Sequence, residues 1–150
     1  MSVDGALYSV GDAHYAQGDS ECCVTAIEMG ATVTVRFKLH AGVAAQHDIR
    51  FPRFAHPGYF ARPEWAAPRN FIATTGMPIR DDGTQEDEQH LSLAARNALV
   101  NMIRLLQERG WSMEQAYVIC SVAVDLRVSN LVDVPNVTVS ALLPEDIFVK

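Results

Sequence analysis

The strongest constraint on this chain is a pair of helix signals set between blocks of strand. Leu91, Ala94, Ala95, Ala98, Leu99, Met102, Ile103, Leu105 and Leu106 recur at helical spacing, with Arg96, Arg104, Gln107 and Glu108 on the opposite side. Thr84-Gln85-Glu86-Asp87 sets a hydroxyl and an acid three residues apart, the pattern that satisfies free N–H groups at a helix start, and Gly110 supplies a left-handed stop. The first helix is therefore predicted over 85–109. Ser112-Met113-Glu114-Gln115 repeats the capping pattern and predicts a second helix over 113–125. So short a link packs two helices as a hairpin.

Strand patterns flank this pair. Ala6–Val10 is short and β-prone and is stopped by Gly11. Val33, Val35, Phe37 and Leu39 alternate with Thr34, Arg36 and Lys38, which predicts a half-buried strand in a hairpin with the preceding CVTAIE run. Between them and the helices, Pro52, Pro57, Pro63 and Pro68 interleave with Phe51, Phe54, Tyr59, Phe60 and Trp65. Edge strands within IRFPRF and RNFIATTG, joined by ordered loop, are expected, because proline cannot donate to a central ladder. After Pro135, Val137, Val139, Ala141 and Leu143 alternate as a last strand. Strands in blocks around a helical hairpin, rather than alternating with helices, give an α+β class: one domain over 1–150 with β-rich, sandwich-like sheets.

Bulk properties exclude several functions. With 150 residues and 49% apolar content, the chain has material for a real core. A net charge of -6, with no run of Lys or Arg, argues against nucleic acid as a partner. No apolar stretch approaches a membrane span, so no membrane partner is expected. The three cysteines include the adjacent Cys22 and Cys23 but no CxxC spacing, so a reducing cytoplasm is the expected compartment.

Several separated blocks, in order, resemble the C-terminal portion of the acetamidase/formamidase family: GALYSVGDAHYAQGDSE, TAIE, ATTGMP, LAARNALVNMIRLL and AYVICSVAVDLRVSNLVDVPNVTVSALLP. The resemblance implies hydrolysis of small linear amides such as formamide or acetamide to ammonia and a carboxylate. It also implies a β-rich N-terminal portion that has no counterpart before Met1. A separate chain supplying that portion, or a homo-oligomer closing the open sheet edge, is the expected partner besides the small amide. A binding or assembly module that keeps the fold without the reaction is the alternative. Ser20 departs from the family pattern, which has glycine in its Gly-Asp-Gly-Glu step.

Amide hydrolysis needs an activated water, a stabilised oxyanion and an acid for the leaving amine. Asp12 and His14, two apart, project to one side of an extended segment and suit a divalent metal such as zinc. Asp12 equally suits a structural turn, bonding backbone N–H groups. Asp19 and Glu21 would return on the far arm, one as third ligand and the other as the base for the water proton. Glu28 is expected to face solvent at a hairpin end, on the strand face opposite Glu21. Cys120 is a possible nucleophile, but its apolar neighbours Ile119, Val122 and Ala123 favour an inert buried thiol. Cys22 and Cys23 read as inert too, and His40, His47, His56 and His90 lack ligand spacing. Asp125 and Arg127, set among apolar neighbours, are expected to form an internal ion pair.

Overall fold

The alternation that predicts the last strand builds the centre of the molecule. In a computed structural model, which describes residues 5, 7–53, 55, 70–86 and 89–149, strand β5 (Thr138–Pro144) lies between β3 (Phe71–Gly76) and β4 (Asp125–Asn130). Both neighbours are antiparallel to it, with Ala73 opposite Leu142 and Leu126 opposite Ala141. Val137, Val139, Ala141 and Leu143 point one way into the core, as a period of two requires. Helix α2 (Leu91–Glu108) lays Ala94, Ala98, Met102 and Leu106, one residue per turn, against that face. Helix α3 (Met113–Ala123) closes the core with Ala116 and Cys120. The α+β class is therefore the one found.

Two small residues set how closely α2 approaches the sheet. A Cβ on Gly76, at the end of β3, would overlap the Ala94 carbonyl and the Ala98 amide of α2. Thr74 Oγ1 uses the same closeness to donate to the Ala98 carbonyl at 2.7 Å. Beyond the strand, Asn97 donates to the carbonyls of Met77 and Ile79, and Asn101 to that of Thr75, so the 75–79 turn is fastened to the helix.

Local chemistry explains where the elements stop. Gly110 takes φ +95 and the Trp111 N–H returns to the Leu106 carbonyl, ending α2 as expected. The Ser112 capping box is complete, with the Ser112 and Gln115 side chains each accepting from the other's backbone N–H. The predicted start of α2 at 85 is corrected to Leu91. Asp82 Oδ1 takes the Thr84 N–H at 2.9 Å, and Glu86 N–H bonds to the Pro78 carbonyl, so this stretch folds back as a turn. His90 becomes the cap instead, its Nδ1 accepting from Leu93 N–H. Asp87, in the expected capping box, lies outside the described residues. The second helix, expected to reach 125, ends at Ala123 because Val124 turns extended and Asp125 enters the β4 ladder.

The N-terminal strands differ more. Two short strands, β1 (His14–Ala16) and β2 (Ile27–Glu28), pair antiparallel across the Gly11–Glu28 loop. The expected hairpin from CVTAIE into 31–39 is not formed, since Ile27–Glu28 is already paired backwards with β1 and Met29 N–H bonds to the Ala13 carbonyl. Among the described residues, 7–10 and 31–39 belong to no ladder, although Tyr8 and Phe37 meet edge to face at 4.9 Å. The expected IRFPRF strand is likewise not formed over 49–53. A single helical turn, α1 (Val43–Gln46), follows the 31–39 segment. Phe54, His56 and the Pro57–Pro68 aromatic stretch lie outside the described residues.

Gly76→Ala is expected to lower stability by about 1–3 kcal/mol through overpacking against α2, measured by urea unfolding. Gly30→Ala, which meets open space, is expected to leave the midpoint within error.

Candidate active site in the Gly11–Glu28 loop

The loop is held at its far end by the junction of α3 and β4. Three successive backbone amides point into that junction. Gly18 N–H donates to the Ser121 carbonyl at 3.2 Å, Asp19 N–H to Asp125 Oδ1 at 3.1 Å, and Ser20 N–H to the Val124 carbonyl at 3.0 Å. Gly18 is required here because a Cβ would overlap the Val124 backbone. Ser20 fits without a left-handed φ, and its hydroxyl donates to the Cys120 carbonyl near the end of α3.

Ser121 fastens the returning strand. Its fully buried hydroxyl donates to the Thr25 carbonyl at 2.7 Å and accepts from the N–H groups of Cys23 and Thr25. One turn earlier, Tyr117 donates its phenol O–H to the Cys22 carbonyl at 2.5 Å. Within this short stretch Asp12, Glu21 and Val24 hold φ values of 54, 30 and 59, a region that side chains rarely occupy and that clusters at working sites.

His14 sits at the near end. Its Nδ1 lies 2.6 Å from Gln17 Oε1 and its Nε2 3.0 Å from Glu28 Oε2, while its side chain keeps only 16% exposure. Two acceptors on two ring nitrogens favour the doubly protonated imidazolium. The Gln17 bond raises the His14 pKa most, burial takes back part of that rise, and the carboxylates of Glu28, Glu21 and Asp12 each add a smaller one. Glu28, expected to face solvent at a hairpin end, is exposed there and reaches the histidine from that position. Asp12 lines a cleft of about 510 Å³ walled by Val10, Met29, Ala31 and Val33.

Asp19 lies at the opposite end, beside Asp125 and Arg127. Burial and the Asp125 carboxylate push its pKa up, and Arg127 pulls it down. The expected Asp125–Arg127 ion pair is not among the described contacts; Asp125 Oδ1 accepts from the Asp19 amide. The structure therefore joins His14 to Glu28 and Asp19 to Asp125, with Glu21 on the loop between the two pairs. Among the described residues, no three His, Cys, Asp or Glu side chains converge as a metal set, and both His14 nitrogens are engaged. Cys120 is buried and its thiol is pushed up to about 12, chiefly by burial, which keeps it protonated and unreactive.

Gln17, Tyr117 and Ser121 were not singled out by sequence reasoning. The i, i+3 spacing of His14 and Gln17 was the one available signal, whereas the Ser121 contacts bridge segments 96 to 98 residues apart.

A family model described as the Acetamidase/Formamidase family matches residues 1–150. The chain belongs to the acetamidase/formamidase family. It is 32% identical over 149 residues to a formamidase of Methylophilus methylotrophus, covering 97% of this chain and 34% of that protein. It is 31% identical over 118 residues to an acetamidase of Mycolicibacterium smegmatis, covering 78% of this chain and 28% of the relative. Among solved structures, a gamma lactamase from Delftia acidovorans superposes with a TM-score of 0.71 at 30% identity, over 90% of this chain and 32% of that one. The chain thus spans about a third of the length of the curated relatives it matches. In its Gly-Asp-Ser-Glu step the Ser20 hydroxyl bonds the end of α3 and so anchors the loop there.

His14 is expected to titrate above an ordinary histidine in an NMR pH series, and Gln17→Ala or Glu28→Gln to lower it. Because the folded form holds the proton more tightly, this contribution to stability is full below the ordinary value of 6.5 and is lost as pH rises through the folded one.

Proposed function

We propose that this chain carries the loop-borne acid and base groups of a linear amide hydrolase acting on formamide- or acetamide-like substrates. The observation that supports it best is the His14–Glu28 pair, 3.0 Å apart, in a family whose named relatives include a formamidase and an acetamidase. A water attacks the amide carbonyl carbon, and the tetrahedral intermediate collapses with loss of ammonia. One of the carboxylates Asp19 and Glu21 takes the single proton released by the attacking water; the raised pKa of Asp19 brings it nearer working pH. The imidazolium of His14, reprotonated through Glu28, gives its proton to the leaving nitrogen. The cleft beside Asp12 is the place for the substrate's small acyl group.

Zinc or another divalent metal held by Asp12 and His14 is a distinct form of this reading. The donors as arranged do not fit it: His14 would have to leave Gln17 or Glu28, and further ligands would have to come from outside the described residues. Because the chain spans a third of its relatives, a non-catalytic module that binds without hydrolysis is the competing reading.

Partner and compartment follow as proposals. Leu7, Tyr15, Phe37 and Leu39 are each more than two-thirds exposed, and a two-stranded ribbon is marginal alone. In the working protein a second polypeptide covers this arm, either another copy or the family's remaining portion. Free thiols at Cys22, Cys23 and Cys120 suit a reducing cytoplasm, and no described helix is long and apolar enough to cross a membrane.

Purified protein is expected to release ammonia from formamide or acetamide, with His14→Asn and Asp19→Asn each losing about 10²-fold or more. No ammonia release at any metal load would favour the binding module. Stoichiometric metal that is lost in Asp12→Asn would replace the acid–base scheme with the metal-bound one. Light scattering at micromolar concentration is expected to show an oligomer, and Phe37→Asp to weaken it; a monomer would count against self-association.

A further inference from the structure

Two sequence blocks that the proposed hydrolysis leaves unused, ATTGMP and LAARNALVNMIRLL, contribute opposite walls of a separate cleft of about 550 Å³. Asn97, Val100, Asn101 and Arg104 line it from α2, at the i, i+3, i+4, i+7 spacing that aligns side chains on one helix face, and the 75–81 turn lines it from the other side. The walls are fixed before anything binds. Asn97 spends both N–H groups of its amide on the Met77 and Ile79 carbonyls, at 2.9 and 2.6 Å, and Asn101 holds the Thr75 carbonyl at 3.0 Å. No lining residue of this cleft belongs to the Gly11–Glu28 loop.

The guanidinium groups of Arg80, Arg96 and Arg104 share the lining with one carboxylate, Asp81. Asp81 is claimed by Arg96, whose Nη1 and Nη2 reach its two oxygens at 3.1 and 3.3 Å. Arg80 gives Glu86 only its Nε, at 2.6 Å, and keeps both terminal nitrogens for another acceptor. Arg104 has no carboxylate partner among the described contacts. With Glu86 counted, the two ion pairs balance and Arg104 remains as a single surplus positive charge. A chain of net charge -6 repels anions as a whole, so this surplus holds one only at close range. Met77, Ile79 and Val100 add apolar surface to the same lining.

We propose that this cleft binds a small carboxylic acid with an apolar body: the carboxylate meets Arg104 and the terminal nitrogens of Arg80, and the body lies along Met77, Ile79 and Val100. A planar guanidinium matches a carboxylate with paired N–H donors, and one surplus charge suits one carboxylate rather than a dianion. The volume is that of a small-molecule site, far more than formate or acetate would fill, so the body as well as the charge sets the preference. The site is additional to the loop and does not depend on the amidase reading.

The test is an NMR titration of the whole chain with sodium hexanoate. Amide and Arg Nε–H signals within 75–81 and 97–104 are expected to shift and saturate at millimolar concentration or below, while those of 11–28 stay in place. Acetate, which keeps the charge and lacks the body, is expected to bind roughly tenfold more weakly or worse. The neutral 1-hexanol is expected to lose roughly tenfold for want of the charge. Arg104→Gln, on an exposed side chain, loses roughly tenfold for hexanoate and nothing for hexanol, with signals away from the cleft unchanged. Inorganic phosphate binding as tightly as hexanoate would reduce the cleft to an unselective anion patch and overturn the proposal. Hexanoate shifts that miss the cleft would overturn it too. If hexanoate leaves the cleft signals in place and light scattering shows Arg104→Gln dissociating an oligomer, the surplus charge serves a carboxylate of a second polypeptide and the proposal fails. Presence or absence of amide hydrolysis moves none of these readouts.

Discussion

The hydroxyl of Ser121 is the contact on which the candidate site depends. It lies fully buried near the last turn of α3, where an unpaired hydroxyl would cost about 1–3 kcal/mol, and the loop supplies one acceptor and two donors to satisfy it. Loop and helix therefore solve each other's problem. The helix end gains partners for its last carbonyls from Gly18 and Ser20, and the loop gains a fixed course through residues with left-handed φ values. The positions of Asp19 and Glu21 depend on that docking.

Much of the core was legible because its signals are local. The α2 stripe, the Ser112 capping box, the Gly110 stop and the β5 alternation each specify an element within a few turns of chain, and each element formed there. The start of α2 was not legible because the Thr84 stretch closes as a turn. Asp82 claims the Thr84 amide two residues away, and His90 takes the cap of the helix that forms. The 31–39 segment shows the opposite failure. Its alternation is a strand pattern, but a strand exists only when something pairs with it, and the described chain offers no ladder there.

The site was legible as a loop and not as a geometry. Asp12, His14, Asp19 and Glu21 are all in one stretch, and their residue types announce proton chemistry or ligation. Which of them meet is decided by Glu28, Gln17 and Asp125, and a sequence does not display a contact between positions 19 and 125. The adverse burial of Asp125 was visible; its true partner was a backbone amide rather than Arg127.

The two ends of the loop belong to bodies of unequal firmness. The Gly18–Thr25 side is bolted to the α3–β4 junction and moves with the core, whereas His14 and Glu28 ride on a ribbon whose apolar side chains have little to rest against. Under the proposed hydrolysis, a partner seated on the ribbon would set the separation between His14 and Asp19, tying assembly to chemistry through one mechanical degree of freedom.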